Sequence, residues 1–206
     1  MFRTTLRVFA LIFLFGTALL GPVRADANVD PSTLVDRLNG TLLQVMQHAD
    51  QLGYEGRYET LAPVLVDAFN FPAMARISVG KHWDELSQEQ KKELTQIFAR
   101  LSVATFAARF DGYGGEQFRI TGQRDQRRNT ILVENELVKT SGDTVPINYL
   151  VRQFDGGWRI IDVYLDAKYS ELALKRSEYS AVIEREGFQN LLVAMEDKIA
   201  QYASGK

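Results

Sequence analysis

Apolar residues recur at three- and four-residue intervals through the first half of the chain and at two-residue intervals through much of the second. Leu34, Leu38, Leu42, Val45, Ala49 and Leu52 form one stripe, which predicts a helix that begins at Asp30-Pro31 and stops at Gly53. Tyr58, Leu61, Leu65 and Phe69 predict a second helix, with Pro63 near enough to its start to be tolerated. Phe71 to Ile77 predicts a shorter one that ends near Gly80. The sharpest signal is at Ser87, where a hydroxyl and Gln90 three residues on make a capping box. Leu94, Ile97, Phe98, Leu101, Ala104, Thr105 and Ala108 follow on one face, until Gly112, Gly114 and Gly115 end the helix.

Beyond those glycines the period drops to two. Phe118 and Ile120 alternate with polar neighbours. Ile131, Val133 and Leu137 share one side of a strand, and Val145, Ile147, Tyr149 and Val151 share one side of the next. Trp158 to Leu165 is a fourth strand, apolar on both faces apart from Arg159 and Asp162. Short turns at 124–129, 141–143 and 155–157 join them into an antiparallel meander. Helices over about 170–185 and 188–203, separated by Gly187, complete the pattern. The order predicts one α+β domain, with helices packed on one face of a curved four-stranded antiparallel sheet.

The N-terminus changes the picture of where such a domain works. Arg3 and Arg7 precede an apolar run from Val8 to Leu20, and a small-residue site follows at Val23-Arg24-Ala25. We read residues 1–25 as a cleaved signal peptide and 26–206 as the mature domain, because roughly 13 apolar residues are too few to span a bilayer. Loss of the three arginines Arg3, Arg7 and Arg24 takes the formal net charge from −2 to −5, so no global basic field exists for nucleic acid. The chain has no cysteine, which removes disulfides, thiol catalysis and thiolate metal sites.

Candidate chemistry is sparse. His48 lies at the edge of the first stripe and His82 in a loop between Lys81 and Trp83. Both read as surface or boundary residues, away from any nucleophile elbow or His-Glu-x-x-His pair. Asp162, in mid-strand between Ile160 and Tyr164, needs a partner. It is either tied to backbone amides or to an arginine such as Arg152 or Arg176, or it is the base of an isomerase-like enzyme assisted by a tyrosine such as Tyr149. Arg124, Arg127 and Arg128 crowd one turn, either simply solvated or docking an acidic envelope partner or lipid headgroups in a ligand-free adaptor.

From Phe69 onward the chain resembles the MlaC (toluene-tolerance) family of periplasmic phospholipid-binding proteins. The likeness is carried in order by Phe71, Met74, Arg76, Gly80 and Trp83, and then by Ser87, Glu89, Gln90 and Phe98. It continues through Tyr149 and Val151, Gly157 to Val163, and finally Ser170, Arg176, Ser177, Tyr179, Gly187, Leu191 and Leu192. Ser170 to Ala173 with Arg176 to Glu178 is similar to the hopanoid-biosynthesis-associated branch, whereas Asp166-Ala167-Lys168 departs from a position where a glycine is more usual. The resemblance implies a cone-shaped α+β fold with additional helices, a monomer without catalytic residues or cofactor, and a phospholipid or hopanoid carried as cargo. It also implies a shuttle in the periplasm between inner- and outer-membrane lipid transport complexes. The lining it implies comes from Tyr149, Val151, Ile161 and Val163 on the strands, with Phe71, Met74, Ile77, Trp83, Phe98, Leu101, Tyr179 and Ile183 on the helices.

Overall fold

The computed structural model describes residues 30–166 and 168–205. The segment 1–25 expected to be a signal peptide, and Ala167, lie outside the described residues. Helices α1 (Pro31–Gln47), α2 (Ala49–Ala68), α3 (Phe71–Val79) and α4 (Gln88–Arg109) come first, with a 3₁₀ turn over Gly80–Glu85 between α3 and α4. Strands β1 (Gln117–Gln126), β2 (Thr130–Val138), β3 (Thr144–Phe154), β4 (Gly157–Leu165) and β5 (Tyr169–Ser170) follow. Helices α5 (Glu171–Glu186) and α6 (Phe188–Ala203) close the chain. Among the described residues, no helix is long and apolar enough to cross a membrane.

The sheet is an antiparallel meander in sequence order β1-β2-β3-β4-β5. Four strands are those the two-residue period predicts. The fifth is a correction: Tyr169 and Ser170 turn back to pair with Leu165 and Tyr164. Two residues are too few to show a period. Bulges between Ile120 and Gly122 and between Leu150 and Val151 add twist and bend to the long strands.

The first helix also ends earlier than its stripe predicts. It breaks at His48 (φ −112°, ψ 16°), and the next helical turn runs only to Gly53, whose φ of 58° interrupts α2. Gly53 is thus a true stop, in a left-handed conformation that few side chains tolerate, but it divides α2 rather than closing α1. Pro63 sits well inside the second part of α2. The capping box of α4 forms as expected: Ser87 N donates to Gln90 Oε1 at 2.8 Å, and Gln90 N donates to Ser87 Oγ at 3.2 Å.

Polar side chains fix these elements against one another. Buried Arg57 in α2 donates from Nε to the Ala107 carbonyl (2.8 Å) and from a terminal nitrogen to the Ala49 carbonyl (3.2 Å), spanning the kink at Gly53 and reaching α4. Buried Asn39 in α1 donates to Asn135 Oδ1 (2.8 Å) on β2, while Asn135 N donates to Asn148 Oδ1 (2.9 Å) on β3, so the helix is seated in one register on the sheet. Between α2 and α3 the backbone touches β4, with Asn70 N donating to the Ile160 carbonyl at 2.9 Å. An aromatic stack runs through the interior: Phe69 lies parallel to Phe71 with ring centres 5.6 Å apart and edge-on to Phe106 (5.7 Å) and Tyr149 (6.5 Å). These rings fill the core beneath β3 and β4.

Candidate ligand-binding pocket

The filled core does not extend under the whole sheet. Between α4, α5, α6 and the paired ends of β3 and β4 lies a cavity of about 430 Å³. That is within the ~300–1,000 Å³ of small-molecule sites. Its floor is the Phe69 ring with Met74, and its sheet wall is Ile147, Val163 and Leu165. Phe98, Leu101, Phe106 and Phe110 come from α4 and its C-cap, Leu172, Tyr179 and Val182 from α5, and Leu191, Ala194, Met195 and Tyr202 from α6.

On the α4 wall two hydroxyls also line it, but neither is free. Ser102 Oγ donates to the Phe98 carbonyl (2.8 Å) and Thr105 Oγ1 to the Leu101 carbonyl (2.7 Å), so the α4 wall offers carbon to the cavity. Burial raises the Tyr179 phenol far above the usual tyrosine range, which keeps it neutral. The charged lining residues stand toward solvent: Arg109, Glu178 and Lys198 are exposed, and Glu171 and Lys175 half-buried. An apolar interior with a charged rim suits an amphiphile whose tail is enclosed and whose polar end stays wet.

Asp162 lies near the cavity wall without opening into it. Its carboxylate accepts from Ser170 Oγ (2.6 Å), Val163 N (2.8 Å) and Leu172 N (3.1 Å), which places it under the first turn of α5. The partners are backbone amides and a hydroxyl, and neither Arg152 nor Arg176 bonds to it. Burial raises its pKa above the ordinary carboxylate value, and the three hydrogen bonds oppose that rise. Among the described residues, no three His, Cys, Asp or Glu side chains cluster in a way that could hold a metal ion.

The family model described as MlaC protein matches residues 36–197, which is most of the chain. This chain belongs to the MlaC family. Among solved structures, the MlaC-family fold seen here is similar to that of the phospholipid-binding protein from Ralstonia solanacearum, determined in complex with a phospholipid. The TM-score is 0.74 at 17% identity, covering 85% of this chain and 99% of that one. At that identity the likeness is one of fold. Among curated proteins, none is matched by this chain.

In this MlaC-family protein, five of the twelve residues expected to line a pocket do so: Met74, Phe98, Leu101, Val163 and Tyr179. Seven stand elsewhere. Phe71 lies one layer behind, stacked on Phe69. Tyr149 and Val151 are wholly buried in the filled part of the core, where Phe69 covers Tyr149 edge-on and the phenol oxygen has no partner among the described residues. Ile161 is buried at the bulge of β4, outside the main core cluster. Ile77 is exposed on α3, Ile183 packs half-buried against the core, and Trp83 lies beneath Lys91 Nζ, 5.7 Å from the ring centre.

The lining that went unmarked comes from positions with a visible signal: Ile147 and Leu165 continue the inward faces of β3 and β4, and Leu191, Met195 and Tyr202 lie on the apolar stripe of α6. His82 is another correction. It is buried in the 3₁₀ turn, with Nδ1 3.4 Å from Glu85 and Nε2 3.6 Å from Glu184, because the turn folds under α5. Gly80 ahead of it is required twice over: its φ is 54°, and a Cβ would meet Arg176 Nε at 2.6 Å.

Proposed function

We propose that this protein is a periplasmic lipid carrier that encloses an acyl chain of a phospholipid in the α4–α5–α6 cavity and does no covalent chemistry. The observation that carries this is the cavity itself: about 430 Å³, lined mainly by apolar side chains and rimmed by charge. If a methylene takes the ~30 Å³ of a liquid water, the space has room for on the order of fourteen methylenes, the length of one acyl chain. At ~0.8 kcal/mol per buried methylene, such a chain contributes about 11 kcal/mol before ordering costs. That is enough to keep a lipid out of water in transit.

The family assignment and the phospholipid bound to the similar Ralstonia protein support the same cargo. Residues 1–25 as a signal peptide support a periplasmic location, and a carrier there has natural partners in inner- and outer-membrane lipid transport complexes. Within the proposed lining, Met74, Phe98, Leu101, Val163 and Tyr179 are joined by Phe106, Ile147, Leu172 and Met195. Against catalysis, Asp162 has its carboxylate oxygens occupied by three donors beneath a helix. The likeness of residues 170–178 to the hopanoid-associated branch makes a hopanoid the competing cargo.

Lipid extraction and mass spectrometry of the purified protein test the reading. One phospholipid per protein is the expected result. A lipid-free protein that also takes none from vesicles would sink it, and a hopanoid at that stoichiometry would reassign the cargo.

A further inference from the structure

The charged side chains on the cavity rim are unequal in number. Lys175, Lys198 and Arg109 stand with Glu171 and Glu178. Elsewhere Lys81 pairs with Glu184 and Arg100 with Glu196. Among the described residues, none of the three rim cations is in an ion pair, although two carboxylates share the same lining. The two lysines are instead held on aromatic faces. Lys175 Nζ is 5.8 Å from the ring centre of Tyr179, and Lys198 Nζ is 4.9 Å from that of Tyr202 and 3.1 Å from Gln201 Oε1. A ring face steadies an ammonium without using up its N–H donors.

All three side chains line the one cavity, Lys175 from the first half of α5, Lys198 from the second half of α6 and Arg109 from the last residue of α4. The two tyrosines that carry the lysines line it as well.

An apolar cavity rimmed by unpaired cations matches an amphiphile with a negative group where its tail begins. We propose that Lys175, Lys198 and Arg109 seat the phosphate ester of a phospholipid headgroup. This rests on the reading that the cavity holds an acyl chain. Arginine grips phosphate with two parallel N–H groups, and lysine acts as a mobile point charge beside it. Glu171 and Glu178 on the same rim oppose a second negative group, so the seat accepts one phosphate and disfavours a polyanion. An uncharged polyol head, such as a hopanoid carries, gains nothing from three cations.

The test is calorimetric binding of two single-tail probes, dodecyl phosphate and dodecanol, to the delipidated protein. At low salt, dodecyl phosphate binds at least about tenfold more tightly, as expected for charge-assisted hydrogen bonds, and the ratio shrinks with added salt. In Lys175→Met/Lys198→Met/Arg109→Met the ratio falls close to one, and thermal unfolding checks that this variant is folded. Glu171→Gln/Glu178→Gln moves the ratio the other way, upward, and keeps the test decisive if the triple variant does not fold. Equal affinity for the two probes in the unaltered protein, a ratio that survives the triple substitution, or a ratio unmoved in the glutamine variant would overturn the proposal. Binding of neither probe removes the acyl cavity as well, a failure distinct from loss of discrimination. Inorganic phosphate alone binds weakly or not at all. Saturable uptake of it more tightly than dodecyl phosphate would assign the cations to a free-anion site and overturn the headgroup seat.

Discussion

Ser170 donates its hydroxyl proton to Asp162 at 2.6 Å and accepts the amide of Ala173 at 2.9 Å, so one serine ties a buried acid of β4 to the first turn of α5. Asp162→Asn keeps the volume but turns an amide N–H₂ toward donors. We expect a loss of about 1–3 kcal/mol at neutral pH, read by urea denaturation. The pH dependence has a definite sign. Burial raises the folded pKa above that of the unfolded chain, so the native protein binds the proton more tightly. The part of the stability that comes from this tighter proton binding is therefore complete below the ordinary carboxylate value and is lost as pH rises through the raised one, while the three hydrogen bonds remain. The gap between wild type and Asp162→Asn narrows from acid toward neutral; a gap that widens would show that the hydrogen bonds outweigh burial.

Ala194 lines the cavity from an exposed position on α6, which makes it a place to plug the space without cutting into the core. Ala194→Trp should fill the room of several methylenes, each worth ~0.8 kcal/mol to a bound chain. Lipid affinity then falls by more than about tenfold while the melting temperature barely moves. Unchanged lipid content by mass spectrometry would place the ligand elsewhere.

The guanidinium of Arg57 satisfies two carbonyls from different helices in a buried setting. Arg57→Met retains most of the apolar stem and strips both bonds. Chemical denaturation should report a loss of about 2–4 kcal/mol, since buried acceptors are left without donors. A loss within ~0.5 kcal/mol, as at an ordinary surface site, would mean that water replaces the guanidinium.

In the β1–β2 turn, Arg128 has φ 61° and Asn129 φ 55°. A left-handed arginine costs ~1–2 kcal/mol, part of which glycine recovers. Arg128→Gly should stabilise the protein by about 0.5–1 kcal/mol, seen as a higher melting temperature. No gain would show that the turn relaxes at no cost.

What the sequence discloses here is what nearest neighbours determine. The Ser87–Gln90 box, the stop at Gly187 and the alternation of β1 to β3 involve residues a few positions apart, and each appears where expected. The break at His48 carries no such mark, because Ala49 and Leu52 extend the same stripe across it. Arg57 with Ala107 and Asn39 with Asn135 are partnerships across 50 and 96 positions, and each residue alone looks like surface. The pocket was half visible for a related reason. Tyr149 and Val151 do point inward, but Phe69 fills the space before them. Two residues earlier on β3, Ile147 lines the cavity that α4, α5 and α6 enclose with the sheet. Alternation specifies the inward face; the spacing of the helices decides whether that face meets a side chain or a void.

The two sides of the cavity differ in what it takes to move them. On the α4 side, any separation from α2 strands a buried guanidinium, so that wall behaves as a fixed jaw. On the other side, α5 buries two side chains, Leu172 and Tyr179, whose exposure costs on the order of 3–6 kcal/mol. Strain applied to the closed domain is therefore relieved first at α5, and the scaffold of α1, α2, α4 and the sheet outlasts it as a template onto which that helix can settle again.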